Sequence, residues 1–321
     1  MKVLFNAPYD FLSRKIESLF PDLDFIYNDV WTKEDFKTQD LSNIDILIPN
    51  PGWSFILDNE ILSATGCLPS KLIVSTSSTG LNHLSSDLSC KVVGLRENPA
   101  ELAKITASGE YTVLLTLAIV RKFLYAVNEV KEQRWRHNEK LMRGRELSTL
   151  HVGIVGLGRN GSLMARVLNS MGNATIKFYD PHVVNCDEEI YIEKVNKLDE
   201  LDCELLVITC ALENETVEMI NKKILDSLSK KLKYVVNTSR GEIVHEGDMV
   251  SWLQEDDSRL FSADTLSGEV LAEQFKSPLL DSALSDQVLI TPHVAGASND
   301  SQTKAAIQAI NQGVELFGGK F

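Results

Sequence analysis

The chain lacks any surplus of positive charge. Its 321 residues carry 32 lysines and arginines against 45 aspartates and glutamates, a net charge of −13. That balance excludes nucleic acid or an anionic membrane as the main partner, because both need a basic surface. Cysteine is scarce and unpatterned: five residues, at 67, 90, 186, 203 and 210, with no C-x-x-C and no Cys/His cluster. Such spacing fits neither a disulfide framework nor a metal site, and it makes a reducing, cytoplasmic setting the simplest expectation. Long apolar runs are also missing. The most apolar stretch, VLLTLAIV at 113–120, ends at Arg121-Lys122. It falls far short of the roughly 20 residues that span a bilayer, and predicts a buried helix. The opening MKVLFNAPYD offers only the run Val3–Phe5 before Asn6, too little for a secretory signal.

What remains is an ordinary soluble composition, 44% apolar and 24% charged, at a length comfortable for two domains. Short β-type runs (2–5, 24–27, 44–48, 71–75 and 91–94) alternate with polar or helical segments. In ENPAELAKI, Asn98 is placed as an N-cap, Pro99 at the first helical position and Glu101 to close a capping box. A second α/β series follows, with strands at 150–156, 174–180, 203–209, 233–238, 260–264 and 287–291, and a helix over 160–172. The last stretch, 301–317, has helical apolar spacing. The pattern predicts an α/β protein with two doubly wound parallel-sheet units in tandem, the second starting between Pro99 and Leu150.

One loop carries the strongest local signal. In HVGIVGLGRNGSLMARVL, Gly156-x-Gly158-x-x-Gly161 follows an apolar strand and opens an amphipathic helix. There the first glycine makes a tight turn, the second admits a pyrophosphate and the third lets helix and strand pack. A second strand ends at Asp180, 19 residues beyond Gly161, where a carboxylate can bond both ribose hydroxyls and repel a 2′-phosphate. NAD(H) is therefore expected over NADP(H).

Three further strand ends add chemistry. Arg240-Gly241 follows YVVNTS, Asp264 closes FSAD with Glu269 five residues on, and His293 follows LITP. Taken singly, Arg240 reads equally well as a surface arginine and His293 as a plug at a strand end. Together they form a kit for hydride transfer to a 2-oxo acid. Arg240 holds the carboxylate with two parallel bonds, His293 donates a proton, and Glu269 steadies the charged imidazole.

The same segments, in order, resemble the D-isomer-specific 2-hydroxyacid dehydrogenases. STGLNHL is similar to that family's G-x-[DN] loop, with Gly80 and Asn82 in place, and ITASGEYTVLLTLAIVRK to its acidic helix, with Glu110. VVNTSRGEIVHEGDMV, ADTLSGE and TPHVAGAS follow its later motifs. The resemblance implies Arg240, Glu269 and His293 as catalytic residues. It implies cofactor contacts at Gly156, Gly158, Arg159, Asn160, Gly161, Asp180, Thr238 and Asp264, and substrate contacts at Thr79, Gly80 and Arg240. It also implies a discontinuous substrate domain, 1–98 with 295–321, around a nucleotide domain at 99–294, and a homodimer near the Glu110 helix.

Departures from the family pattern are Ala211 and Glu213 in ALENET, Ser267, and Val270 after Glu269. PNPGW at 49–53 lacks an arginine common there, which weakens a phosphorylated substrate; Arg96 is the nearby basic candidate. Trp135 matches a family tryptophan expected to pack, while His83, His137, His151, His182 and His245 are assigned surface or loop roles. Two rivals remain: a non-catalytic NAD(H)-sensing scaffold of the corepressor kind, and a formate- or phosphite-type dehydrogenase on the same fold.

Overall fold

In a computed structural model the chain is described at residues 1–173, 175–183, 191–228, 230–269 and 276–318. It divides into two compact units, one of Met1–Ile105, Glu269–Phe275 and Ala297–Phe321, the other of Thr106–Gly268 and Lys276–Gly296. The first cut thus falls seven residues later than the expected 98/99 boundary. Ile105 and Leu102 pack with Leu95 and Ala305, which keeps the turn after Pro99 in the first unit.

The first unit is built on a parallel sheet of β1 (Lys2–Phe5), β2 (Asp24–Tyr27), β3 (Ile46–Ile48), β4 (Ile73–Ser75) and β5 (Lys91–Val93), in the order β2-β1-β3-β4-β5. Successive side chains leave a strand on opposite faces. Leu4, Leu47 and Val74 accordingly enter one buried cluster with Phe36, Trp53 and Phe55. Val3, Phe5, Ile46, Ile48 and Ile73 enter another on the opposite face. Burial on both faces is why these strands read as unbroken apolar runs. The C-terminal helix Asn299–Phe317 closes the second face through Ala306, Ala309, Ile310 and Val314. Its Gly313 lets the helix lie against β3, since a Cβ there would sit 2.9 Å from Ile46 Cγ2.

The second unit carries a seven-stranded parallel sheet. Its strands are β6 (Val152–Val155), β7 (Ile176–Tyr179), β8 (Glu193–Val195), β9 (Leu205–Ile208), β10 (Tyr234–Asn237), β11 (Leu260–Ala263) and β12 (Val288–Ile290). The order is β12-β11-β10-β9-β6-β7-β8, so the direction of winding reverses between β6 and β9. Strand β8 escaped the sequence reading because two of its three residues are exposed at the sheet edge, leaving no apolar run.

The segment Pro99–Val120 is long and apolar enough in composition to cross a membrane, and half of it is buried in the fold. It is two helices, Pro99–Leu102 and Ala107–Val120, and the second packs on the helix Arg159–Ser170 and on β10 and β11. The expected buried helix is therefore a core helix. Asn98 caps its helix by accepting from Glu101 N at 3.2 Å. The capping box does not close, because the Glu101 carboxylate pairs with Lys104 at 2.6 Å instead.

Candidate active site

The glycine loop lies at the carboxyl end of β6, at the point where the second sheet reverses direction. Gly156 has φ of +88° and lies against Cys210, where a Cβ would meet backbone at 2.5 Å. Gly161 touches the turn itself, with Gly156 O only 2.1 Å from an ideal Cβ. Gly158 is different: a Cβ there would meet nothing within 4 Å. It also opens the helix Arg159–Ser170 with no side chain capping the first amides. Two glycines are thus needed for chain packing, while Gly158 leaves free space before the helix N-terminus, the arrangement that receives a phosphate. Arg159 and Asn160 are the first residues of that helix, both half-buried. Burial holds the Arg159 guanidinium below its usual range.

Asp180 ends β7 as expected, but its carboxylate also braces the loop. Oδ2 accepts from Leu157 N at 2.8 Å, and Oδ1 accepts from His182 N at 2.9 Å and Val183 N at 3.3 Å. A carboxylate offers about four acceptor positions, so three amide donors leave capacity for a ribose hydroxyl. Thr209, after β9, holds the loop from the other side by donating to Gly156 O at 2.6 Å. Burial, with Asp180 nearby as a lesser cause, pushes the adjacent Cys210 thiol up to about 12.

The ends of β10, β11 and β12 are linked by backbone bonds. Asp264 N donates to Asn237 O at 3.0 Å, and His293 N donates to Asp264 O at 2.7 Å. Thr238, buried, shares a 2.7 Å hydroxyl bond with Thr112 of the core helix. Asn237 fixes the turn that carries Arg240: its Oδ1 accepts from Ser239 N at 3.0 Å and its Nδ2 donates to Arg240 O at 2.9 Å. Arg240 is half-buried and its Nη1 donates to Ser239 O at 2.8 Å. Gly241 lies against the chain after β11, where a Cβ would come within 1.9 Å of the Leu266 carbonyl carbon.

Asp264 is fully buried and serves the histidine loop. Its Oδ1 accepts from Thr291 Oγ1 at 2.6 Å and Val294 N at 3.0 Å, and its Oδ2 accepts from Ala295 N at 2.8 Å. Inside this clamp His293 adopts φ of +52°, a conformation side chains other than glycine rarely take. His293 is exposed. It does not plug the strand end. A strained backbone held by neighbouring bonds is a mark of functional positions.

Further residues act through these and were not assigned roles in sequence. Glu246 accepts from Ser267 N at 2.8 Å and from Ser277 Oγ at 2.7 Å, while Glu242 accepts from Gly268 N at 3.3 Å. These anchors fix the backbone just ahead of Glu269, which is itself half-buried. The only hint in sequence was their place in the RGEIVHE motif. Val270, the departure beside Glu269, and Cys186 lie outside the described residues.

In the first unit, Thr79 and Gly80 follow β4 and are half-buried, and Gly80 O accepts from Ser78 Oγ at 2.7 Å. Two of the histidines assigned surface or loop roles lie in turn or loop backbone and make specific contacts. His83 is buried, bonded to Thr76 Oγ1 at 3.3 Å and edge-on to Trp53 at 6.2 Å. His245 is a helix cap, its Nδ1 accepting from Asp248 N at 3.2 Å. Trp135, expected to pack, is 68% exposed.

An α/β unit with an open glycine turn at its switch point and polar side chains on adjacent strand ends is a dinucleotide-binding enzyme domain. Residues 113–295, more than half of the chain, match the D-isomer specific 2-hydroxyacid dehydrogenase, NAD binding domain. The chain belongs to that family, whose members are NAD-dependent oxidoreductases. A glyoxylate reductase of Thermofilum pendens is 27% identical over 278 residues, 82% of this chain and 76% of that protein. A formate dehydrogenase of Neurospora crassa is 27% identical over 290 residues, 86% of this chain and 75% of that one. In fold, the chain is similar to the D-lactate dehydrogenase of Aquifex aeolicus solved with NAD and lactic acid, with a TM-score of 0.74 at 22% identity over 99% of this chain and 96% of that one.

Proposed function

We propose that the chain interconverts a small D-2-hydroxy acid and its 2-oxo acid, with the first unit as the substrate domain and Thr79 and Gly80 among its substrate contacts. The observation that carries this reading is the exposed His293, held at a positive φ by the buried Asp264. The Gly156–Gly161 turn, Arg159, Asn160, Asp180, Thr238 and Asp264 would hold NADH, which when bound would supply the hydride. Arg240 binds the substrate carboxylate and draws charge from the carbonyl. His293, as the imidazolium that Glu269 steadies, passes its ring proton to the carbonyl oxygen, and as the neutral imidazole it takes the hydroxyl proton in the reverse direction.

The formate dehydrogenase relatives raise a second reading on the same fold. Hydride loss from formate yields carbon dioxide with no hydroxyl proton to move, so it does not require the Glu269/His293 pair. That pair favours the 2-oxo acid. A homodimer is part of the proposal, supported by the exposed Leu114, Phe123, Val130, Trp135 and Leu141 of the second unit; a monomer mass in sedimentation would refute it. A cytoplasmic setting is also part of it, on the cysteine spacing.

The test is NADH oxidation against glyoxylate, pyruvate and hydroxypyruvate, beside NAD reduction by formate. Turnover of a 2-oxo acid is expected, with NADH preferred over NADPH. His293→Ala should lower kcat by about 100-fold or more and remove the pH dependence. Formate turnover alone, or a His293→Ala profile like that of the parent, would overturn the assignment.

A further inference from the structure

The first unit has a switch point of its own. Its order β2-β1-β3-β4-β5 reverses at the β1/β3 boundary, and ligands of such sheets bind outside the strand ends at that place. Three buried polar side chains there, Asn6, Asn50 and Trp53, are engaged with the surrounding chain. Asn6, fully buried, donates through Nδ2 to Asn28 O and Gln39 Oε1, both at 2.9 Å, and accepts from Gln39 Nε2 at 3.3 Å. Asn50 donates to Val30 O at 3.1 Å and accepts from Gly52 N at 2.9 Å. The indole of Trp53 donates to the same Val30 O at 2.9 Å.

The exposed side chains that follow β1 and β2 include aromatic and anionic ones. Trp31 follows β2, and its carbonyl is fixed by Ser54 N at 3.3 Å and Ser54 Oγ at 3.1 Å. The residue is nevertheless 50% exposed, and its ring lies across Gly52, 3.2 Å from where a Cβ would stand. Gly52 is the residue that lets the indole lie there. Phe11, six residues beyond β1, is 49% exposed. Two exposed carboxylates, Asp10 and Asp29, follow β1 and β2. Asp29 is held above its ordinary range by partial burial and then by Asp10, which places the two within electrostatic reach. An indole face favours apolar groups, and paired carboxylates disfavour a phosphate or a second carboxylate.

We propose that Trp31, laid across Gly52 at this switch point, is a specificity-determining residue that selects 2-oxo acids with an uncharged, apolar side chain over phosphorylated or dicarboxylic ones. This rests on the reading of function above. The test is steady-state NADH oxidation by the full chain with glyoxylate, 4-methyl-2-oxopentanoate, phenylpyruvate, phosphohydroxypyruvate and oxaloacetate. The two apolar acids should exceed the two doubly charged ones in kcat/KM. Trp31→Ala should lower the ratio of apolar-acid to glyoxylate kcat/KM by roughly tenfold or more, mainly through KM. Trp31→Phe should restore most of it. Asp10→Asn combined with Asp29→Asn should raise kcat/KM for phosphohydroxypyruvate by about tenfold, and less at high salt.

A Trp31→Ala variant that loses activity on every acid by the same factor overturns the specificity role. So does a parent enzyme that reduces phosphohydroxypyruvate best, while leaving the dehydrogenase reading intact. A parent that reduces no 2-oxo acid overturns the dehydrogenase reading itself, and this proposal with it.

Discussion

Replacing Asp264 by asparagine tests the clamp around His293 with almost no change in volume. The carboxylate accepts three hydrogen bonds, from Thr291 Oγ1, Val294 N and Ala295 N, at full burial. An amide has one acceptor oxygen, so in either orientation its NH2 faces a backbone N–H that previously had a partner. An unmade buried donor costs about 1–3 kcal/mol, and the surviving bonds lose charge assistance worth about 1 kcal/mol each. Removing a buried charge offsets part of this. The net local cost is about 2–4 kcal/mol, concentrated on residues 291–295. Hydrogen exchange reads it directly: the amides of Val294 and Ala295 should exchange roughly 30- to 700-fold faster. Activity should fall through kcat as His293 leaves its φ of +52°. Unchanged protection of those two amides, with unchanged kcat, would refute the view that Asp264 positions the histidine.

Two further outcomes follow from the glycines and thiols. Gly241→Ala forces a Cβ within 1.9 Å of Leu266 C and 2.1 Å of Ser267 N, and should cost at least about 3 kcal/mol in urea denaturation. Gly158→Ala meets nothing within 4 Å; it should change stability by no more than about 0.5 kcal/mol while weakening NADH binding in a fluorescence titration. Equal destabilisation by both would contradict the division of roles along the nucleotide unit. Burial pushes the Cys203 and Cys210 thiols up from 9.0 to about 12. A pKa raised on folding stabilises the fold below the unfolded value, and that stability is lost as pH climbs toward the folded one. Stability should therefore decline between about pH 9 and pH 12, and Cys203→Ala with Cys210→Ala should flatten the decline measured by circular dichroism.

Much of the architecture was legible because burial on both faces of a parallel sheet writes itself as apolar runs. VGIV at β6, LLVI at β9 and YVVN at β10 are all fully buried, and all were readable. The β8 segment, EKV, was not, because an edge strand with one buried residue has no periodicity to detect. Histidines divided the same way. His83 and His245 carry no local mark, since a partner seven residues away in a loop and a cap on a helix amide depend on backbone path. Trp135 misled for the opposite reason, as its match to a family tryptophan suggested packing that the rest of the chain does not provide.

What the sequence by itself determined was chemistry at known intervals: a glycine turn after a strand, an acid after the next, and Arg240, Asp264 and His293 at three strand ends. Spacing along one chain suffices for that, because strand, turn and helix are local. Tertiary structure decided which groups do the holding. Asp264 and Asp180 turned out to brace the loops they were expected to serve as ligand contacts, through amides 23 to 31 residues away. Glu246 became a support for the same reason, through Ser267 N 21 residues away. A carboxylate finds such donors only once neighbouring strand ends are side by side, and the order of strands in a sheet is fixed by packing, not by order along the chain.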